Sequence, residues 1–244
     1  SDDSSEEALL QILEGAVGLI LRGDGIGSNR VIEAAVDLKV IGRSGVGYDR
    51  VDIQTANARS IPVIITPGAN SQAVAEAALT YMLALSKKMI HWDIQLKQGN
   101  WRSRFEQSPG DREGATLGII GFGRIGCRLA QLIRPFGMTV LAYDPYVTGE
   151  TASEQDVELV ELGYLLKKSD VVSVHALLNE KTRGLINRAR LSSMKPGSIL
   201  INLARGAIVE SLDVLHEVLT DGPLAAAALD VFEPEPPDVS HPIF

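Results

Sequence analysis

Apolar residues fall in short β-branched runs separated by stretches with helical spacing, and this alternation repeats along the chain. In a first block, strands are predicted over residues 17–21, 39–41 and 62–65, and helices over 29–36 and 51–58. A long Ala- and Leu-rich helix follows over 71–89, with Asn70 placed to cap it. A second block gives strands over 117–120, 139–143, 171–174, 198–201 and 225–229. Its helices are predicted over 124–134, 157–167 (where Gly163 can break the run) and 211–220. Strands that alternate with helices in this way imply βαβ units on parallel sheets, an α/β class. Between the blocks, 98–114 is polar, with Gly, Pro and both signs of charge, and reads as an inter-domain connection. The expected domains are therefore 1–97 and 98–244, with Trp101 and Phe105 of the connection read as packing or subunit contacts.

Composition changes this picture only by exclusion. With 45% hydrophobic and 22% charged residues, the chain has the balance of an ordinary globular protein. No apolar run approaches the roughly 18 residues needed to span a membrane. The opening Ser-Asp-Asp-Ser-Ser-Glu-Glu is acidic and lacks the basic-then-apolar order of a signal peptide. A formal charge of -8 and the lack of a basic run argue against nucleic-acid binding. The one cysteine, Cys127, leaves no intramolecular disulfide and no thiolate cluster for a metal, so a reducing, cytoplasmic setting is expected. An acidic protein can still bind a small anion through locally placed arginines and backbone N–H groups.

Gly121-Phe122-Gly123-Arg124-Ile125-Gly126 has the G-x-G-x-x-G form between a predicted strand and an amphipathic helix, with Asp144 ending the next strand. Gly121 permits the tight turn, Gly123 lets the backbone approach a pyrophosphate, and Gly126 lets the helix pack closely on the sheet. The helix start at Arg124 and Ile125 offers N–H groups and a positive dipole end to phosphates. The Asp144 carboxylate suits ribose hydroxyls and repels a 2′-phosphate, and Pro145 and Tyr146 after it supply no arginine. A Rossmann domain selecting NAD over NADP is expected.

Further segments carry a resemblance. They are Gly42-Arg43-Ser44-Gly45-Val46-Gly47-Tyr48-Asp49, Thr66-Pro67-Gly68-Ala69-Asn70-Ser71, Ala142-Tyr143-Asp144-Pro145, the Ile-Asn-Leu-Ala-Arg-Gly run 201–206, and the Ala-Leu-Asp-Val-Phe-Glu-Pro-Glu-Pro run 228–236. Together with the glycine motif they resemble the D-isomer-specific 2-hydroxyacid dehydrogenases, among them phosphoglycerate dehydrogenases and glyoxylate/hydroxypyruvate reductases. The resemblance implies two doubly wound parallel-sheet domains, a Rossmann NAD-binding domain and a flavodoxin-like substrate domain, with the substrate in the cleft between them and a homodimer formed through the Rossmann domain. Arg205, at the carboxyl end of a parallel strand, has the planar fork to orient a substrate carboxylate and carbonyl. The blander reading of Arg205 is a surface salt bridge. Glu235 matches the family's glutamate that raises the pKa of a catalytic histidine, with Glu233 as its competitor. Asp230 resembles the residue that contacts the nicotinamide carboxamide. Ser44, Val46 and Gly47 match a backbone cradle for the substrate carboxylate. Arg43 and Asn70 are read equally as substrate contacts or as turn residues.

Two departures stand out. After the 171–174 strand the chain has His175-Ala176-Leu177-Leu178-Asn179 where the family has His-x-Pro-Leu-Thr. His175 is therefore expected to orient that loop or touch the cofactor. In addition, the family's Pro-His-x-Gly histidine has no counterpart among His91, His175, His216 and His241. The chain thus reads as truncated at both ends, expected to retain cofactor binding with little or no turnover. The expected reaction interconverts a D-2-hydroxy acid and its 2-keto acid, with 3-phosphoglycerate, glyoxylate and hydroxypyruvate open as substrates. Arg43 mildly favours a phosphorylated one. The alternative is an NAD-sensing, protein-binding dimer of the same fold, like the C-terminal-binding-protein corepressors.

Overall fold

The computed structural model describes residues 6–23, 25–106 and 109–244. Most of the acidic opening stretch, 1–5, and residues 107 and 108 of the connection lie outside the described residues. The chain forms two compact units, Ser1–Asn70 and Ser71–Phe244.

The first unit runs α1 (Glu6–Leu10), β1 (Gly18–Leu21), α2 (Asn29–Ala34), β2 (Val40–Arg43), α3 (Ile53–Ala58) and β3 (Val63–Ile64). Its three strands are parallel in the order β1-β2-β3. Side chains just outside the helices fix where they start. Ser28 Oγ accepts from the Val31 amide (3.2 Å), and Asp52 Oδ1 from that of Thr55 (2.9 Å). Leu19, Leu21 and Ile41 bury against Val31, Ile32 and Ala56, whereas Ile20 is 76% exposed.

The second unit opens with α4 (Ser71–Ser86) and α5 (Met89–Lys97), and continues through β4 (Thr116–Ile120), α6 (Arg124–Ile133), β5 (Thr139–Tyr143), α7 (Gly149–Ser153) and β6 (Glu158–Leu159). It ends with α8 (Leu162–Lys168), β7 (Val171–Val174), α9 (Arg188–Ser192), β8 (Ser198–Asn202), α10 (Leu212–Asp221) and β9 (Leu224–Leu229). All six strands are parallel, ordered β6-β5-β4-β7-β8-β9. Counted within this unit, the order is third, second, first, fourth, fifth, sixth, so it reverses between β4 and β7. Both faces are covered, and the period of two along each strand divides the core. Leu117, Ile119, Val171, Ile199 and Ile201 pack with α4 and α6 (Ala75, Ala78, Met82, Leu129, Ala130, Ile133). Ile120, Val172, Val174 and Leu200 pack with α8 and α10 (Leu165, Leu166, Val214, Leu215, Val218).

Three features differ from the sequence pattern. The 71–89 helix breaks after Ser86, because Lys88 adopts a left-handed conformation (φ 51°, ψ 37°) that an α-helix cannot continue through. The predicted 157–167 helix is instead the short edge strand β6 followed by α8; Gly163 lies inside α8 and does not break it. The compact units divide after Asn70 rather than at 97/98, since α4 buries Ala75, Ala78 and Met82 in the core of the second unit. Among the described residues, no helix is long and apolar enough to cross a membrane.

Candidate functional site

The loops leaving the carboxyl ends of β4, β5, β7, β8 and β9 share one edge of the second unit's sheet. Gly121 follows β4 at φ +92°, a conformation an L side chain rarely adopts. A Cβ there would also stand 2.6 Å from the Ala176 nitrogen and 2.7 Å from the His175 carbonyl carbon, so the β4 and β7 exits meet main chain to main chain. Gly126 lies in the first turn of α6, where a Cβ would come within 2.5 Å of the Gly121 carbonyl oxygen. Gly123 is the contrary case. It precedes Arg124 and Ile125 at the start of α6, and a Cβ on it would meet nothing within 4 Å. No side chain caps this helix end, so its first N–H groups are not taken by a local acceptor.

Asp144 at the end of β5 accepts from the Phe122 amide on Oδ2 and from the Tyr146 amide on Oδ1, each at 2.9 Å. These bonds tie the carboxylate to the glycine turn and leave each oxygen a further lone pair. Gly121, Gly123, Asp144, Tyr146, His175 and Lys181 are among the residues lining a cleft of about 530 Å³ at the point where the strand order reverses. The His175 amide bonds the Ile120 carbonyl (2.7 Å), and its Nε2 lies 2.8 Å from Ser173 Oγ. Its Nδ1 is buried with no hydrogen-bond partner among the described residues, although the residue as a whole is only partly buried.

Burial lowers the His175 pKa from 6.5 to about 4, so the ring is neutral at neutral pH. The unfolded chain binds that proton below pH 6.5, and the folded chain only near 4. His175 thus contributes stability that is full above 6.5 and is lost as pH falls towards 4. A His175→Asn variant should show a shallower fall in melting temperature between those two pH values. Parallel melting curves for the two proteins would remove the assignment.

A second group gathers around β8 and β9. Asn202, 1% exposed, ends β8 and holds the turn beyond it. Its Oδ1 accepts from Ala204 N (3.1 Å), its Nδ2 donates to Arg205 O (2.9 Å), and its carbonyl accepts from Asp230 N (3.1 Å). Arg205 is extended (φ −148°, ψ 141°), with Nη1 donating to the Ala204 carbonyl at 2.7 Å. Gly206 then abuts the Phe232–Glu233 main chain, which sets the Arg205 loop against the loop bearing Glu235. Glu235 Oε1 accepts from the Phe232 amide (3.0 Å), while Glu233 is exposed on the same loop. Asp230, just past β9, accepts from the Tyr81 hydroxyl of α4 at 3.2 Å.

The remaining candidates lie in the first unit. Arg43 ends β2, with Nε donating to the Gly47 carbonyl (3.2 Å) and Nη2 to the Gly23 carbonyl (2.5 Å). These bonds brace the loop that Arg43 opens. The Ser44 amide donates to Leu21 O, which takes it out of the expected cradle, and the Gly45 amide to Arg43 O, which leaves Val46 and Gly47 beyond them. Asn70 is exposed in the turn ahead of α4.

The other histidines sit elsewhere. His241 pairs with Asp213 (3.1 Å) and stacks edge-on with His216, and His91 lies in α5 against Trp92. Among the described residues no group of His, Cys, Asp and Glu could hold a metal ion. The sequence pattern missed Asn202 and Tyr81. A polar side chain ending an otherwise apolar strand is a signal for the first; no pattern marks the second.

A glycine turn at the reversal point of this strand order, with a carboxylate ending the second strand, defines a dinucleotide-binding domain. A model of the D-isomer specific 2-hydroxyacid dehydrogenase NAD binding domain matches residues 79–244. The chain is 40% identical over 240 residues to the D-3-phosphoglycerate dehydrogenase of Archaeoglobus fulgidus, covering 98% of this chain and 45% of that protein. It is 38% identical to the hydroxypyruvate reductase of Thermotoga maritima, over 97% of this chain and 76% of that one. Among solved structures, the D-lactate dehydrogenase of Aquifex aeolicus, complexed with NAD and lactic acid, matches with a TM-score of 0.86 at 33% identity, covering 92% of this chain and 67% of that one. The chain belongs to the D-isomer specific 2-hydroxyacid dehydrogenase family, and its second unit is that family's NAD-binding domain. It spans under half the length of the phosphoglycerate dehydrogenases it matches.

Proposed function

We propose that this chain belongs to an NAD-dependent oxidoreductase that interconverts a D-2-hydroxy acid and its 2-keto acid. The observation that carries the reading is the cleft at the strand-order reversal, where Gly123 leaves room beside an uncapped helix start and the Asp144 carboxylate is tied to the same glycine turn. The pyrophosphate would lie against Gly123, Arg124 and Ile125, the adenosine ribose against Asp144, and His175 would line the same cleft. When bound, the nicotinamide supplies or takes the hydride. Arg205 would hold the substrate carboxylate and carbonyl through paired N–H groups, and Glu235 would keep a neighbouring acid/base protonated. In the first unit, the backbone amides of Val46 and Gly47, with Asn70, are the groups that suit a substrate carboxylate, the Ser44 amide being bonded to Leu21 O. Arg43's bonds to Gly23 and Gly47 favour loop bracing over substrate contact. 3-Phosphoglycerate and hydroxypyruvate are the substrate candidates that the relatives' names support. Exposed Met89, Ile94, Leu96, Trp101 and Phe105 on and after α5 support a homodimer formed through the second unit, and the single cysteine supports a reducing, cytoplasmic setting.

Fluorescence titration tests the reading. NADH should bind more tightly than NADPH, and Asp144→Asn should narrow that preference by about tenfold, as expected when a carboxylate no longer faces the 2′-phosphate. At least one of glyoxylate, hydroxypyruvate and 3-phosphohydroxypyruvate should tighten the NADH complex, and Arg205→Ala should abolish the effect. NADPH bound as tightly as NADH, or no response to any keto acid, would overturn it.

A further inference from the structure

Helix α4 brings to this edge of the sheet a side chain that no motif marks. Tyr81 is half-buried among the α4–α6 core residues, and its hydroxyl donates to Asp230 Oδ1 at 3.2 Å. The two residues lie 149 positions apart and within one compact unit. Asp230 is held at both ends: its amide is bonded to the Asn202 carbonyl, and one carboxylate oxygen is bonded to Tyr81. Asp230 is exposed, and this bond restrains its carboxylate while leaving Oδ2 as a further acceptor.

We propose that Tyr81 is a positioning residue for the nicotinamide end of the cofactor, fixing the Asp230 carboxylate so that its second oxygen accepts from the carboxamide N–H group. The inference rests on the NAD-dependent reading above and adds a residue to it. A tyrosine suits the task because its ring is anchored in apolar packing while its hydroxyl reaches the polar edge. Burial first, then the charge and hydrogen bond of Asp230, raise the phenol above its ordinary range, so it remains a donor through neutral and mildly alkaline pH.

A purely structural tie between α4 and the end of β9 would affect every ligand of the domain alike, whereas a positioning role affects only ligands that carry a nicotinamide. NADH and ADP-ribose, which lacks the nicotinamide, separate the two. In Tyr81→Phe, NADH should bind about threefold to tenfold more weakly, the scale of one ordinary net hydrogen bond. ADP-ribose, measured by displacement of NADH, should bind as before. In an Asp230→Ala background, adding Tyr81→Phe should have no further effect on NADH. Equal weakening of both ligands, or unchanged NADH binding, would overturn the inference while leaving the cofactor reading intact. Failure of the unaltered chain to bind either ligand would remove the cofactor reading and this inference with it.

Discussion

Gly206→Ala should destabilise the second unit by about 3 kcal/mol or more, lowering its melting temperature by on the order of 10 °C. A Cβ at 206 would stand 2.1 Å from the Phe232 carbonyl carbon, 2.3 Å from its oxygen and 2.5 Å from the Glu233 nitrogen. All three are main-chain atoms, so no rotamer change relieves the overlap and the two loops must part. The parting would carry Arg205 away from the Glu235 loop, and response to a keto acid should fall with stability. Calorimetry reads the first effect directly. A melting temperature equal to that of the unaltered protein would mean that the two loops do not touch as described.

Gly123→Asp should do the reverse: leave the fold intact and remove the ligand. Its backbone (φ −84°, ψ −156°) is extended, and a Cβ there meets nothing within 4 Å. Asp is also a better helix cap than Gly, so stability should hold or rise by about a few tenths of a kcal/mol. The added carboxylate would occupy the room beside the first amides of α6 and accept their N–H groups itself. NADH affinity should then drop by about a hundredfold or more, the equivalent of two charge-assisted hydrogen bonds lost. Melting and NADH titration on the same sample test both halves. A protein that melts normally and still binds NADH would show that the pyrophosphate does not lie against Gly123.

Much of this was legible in the residues. The apolar runs at β4, β5, β7 and β8 are buried on both faces, and continuous β-branched sequence is what a parallel strand between two helical layers requires. The glycine motif was legible for the same reason: Gly121 and Gly126 fill positions that main-chain atoms close to any side chain. Other features depend on atoms distant in sequence. The two-residue strand β6 pairs only with the edge of β5, too short a run for periodicity to register. The break at Lys88 falls in a stretch whose composition continues helical, and its left-handed backbone leaves no mark in the residue pattern. Tyr81 occupies an ordinary helical position, and only the fold brings Asp230 to it. Arg43 shows the converse limit, since a cation in a glycine loop reads equally as a substrate contact or a turn residue, and only its hydrogen bonds to Gly23 and Gly47 weigh towards the second.

The joint at Asn202 bears on how the site fluctuates. One side chain ties the Ala204 and Arg205 main chains, and the same residue's carbonyl holds Asp230. Fraying at the end of β8 would therefore loosen the Arg205 turn and the main chain at Asp230 in a single event, leaving the Tyr81 bond as the remaining tie on Asp230. The cost of that event belongs to a strand whose five residues are all buried, so the two loops share the local unfolding free energy of the sheet's interior. Segments that read as separate connections would thus open and close as one cooperative element.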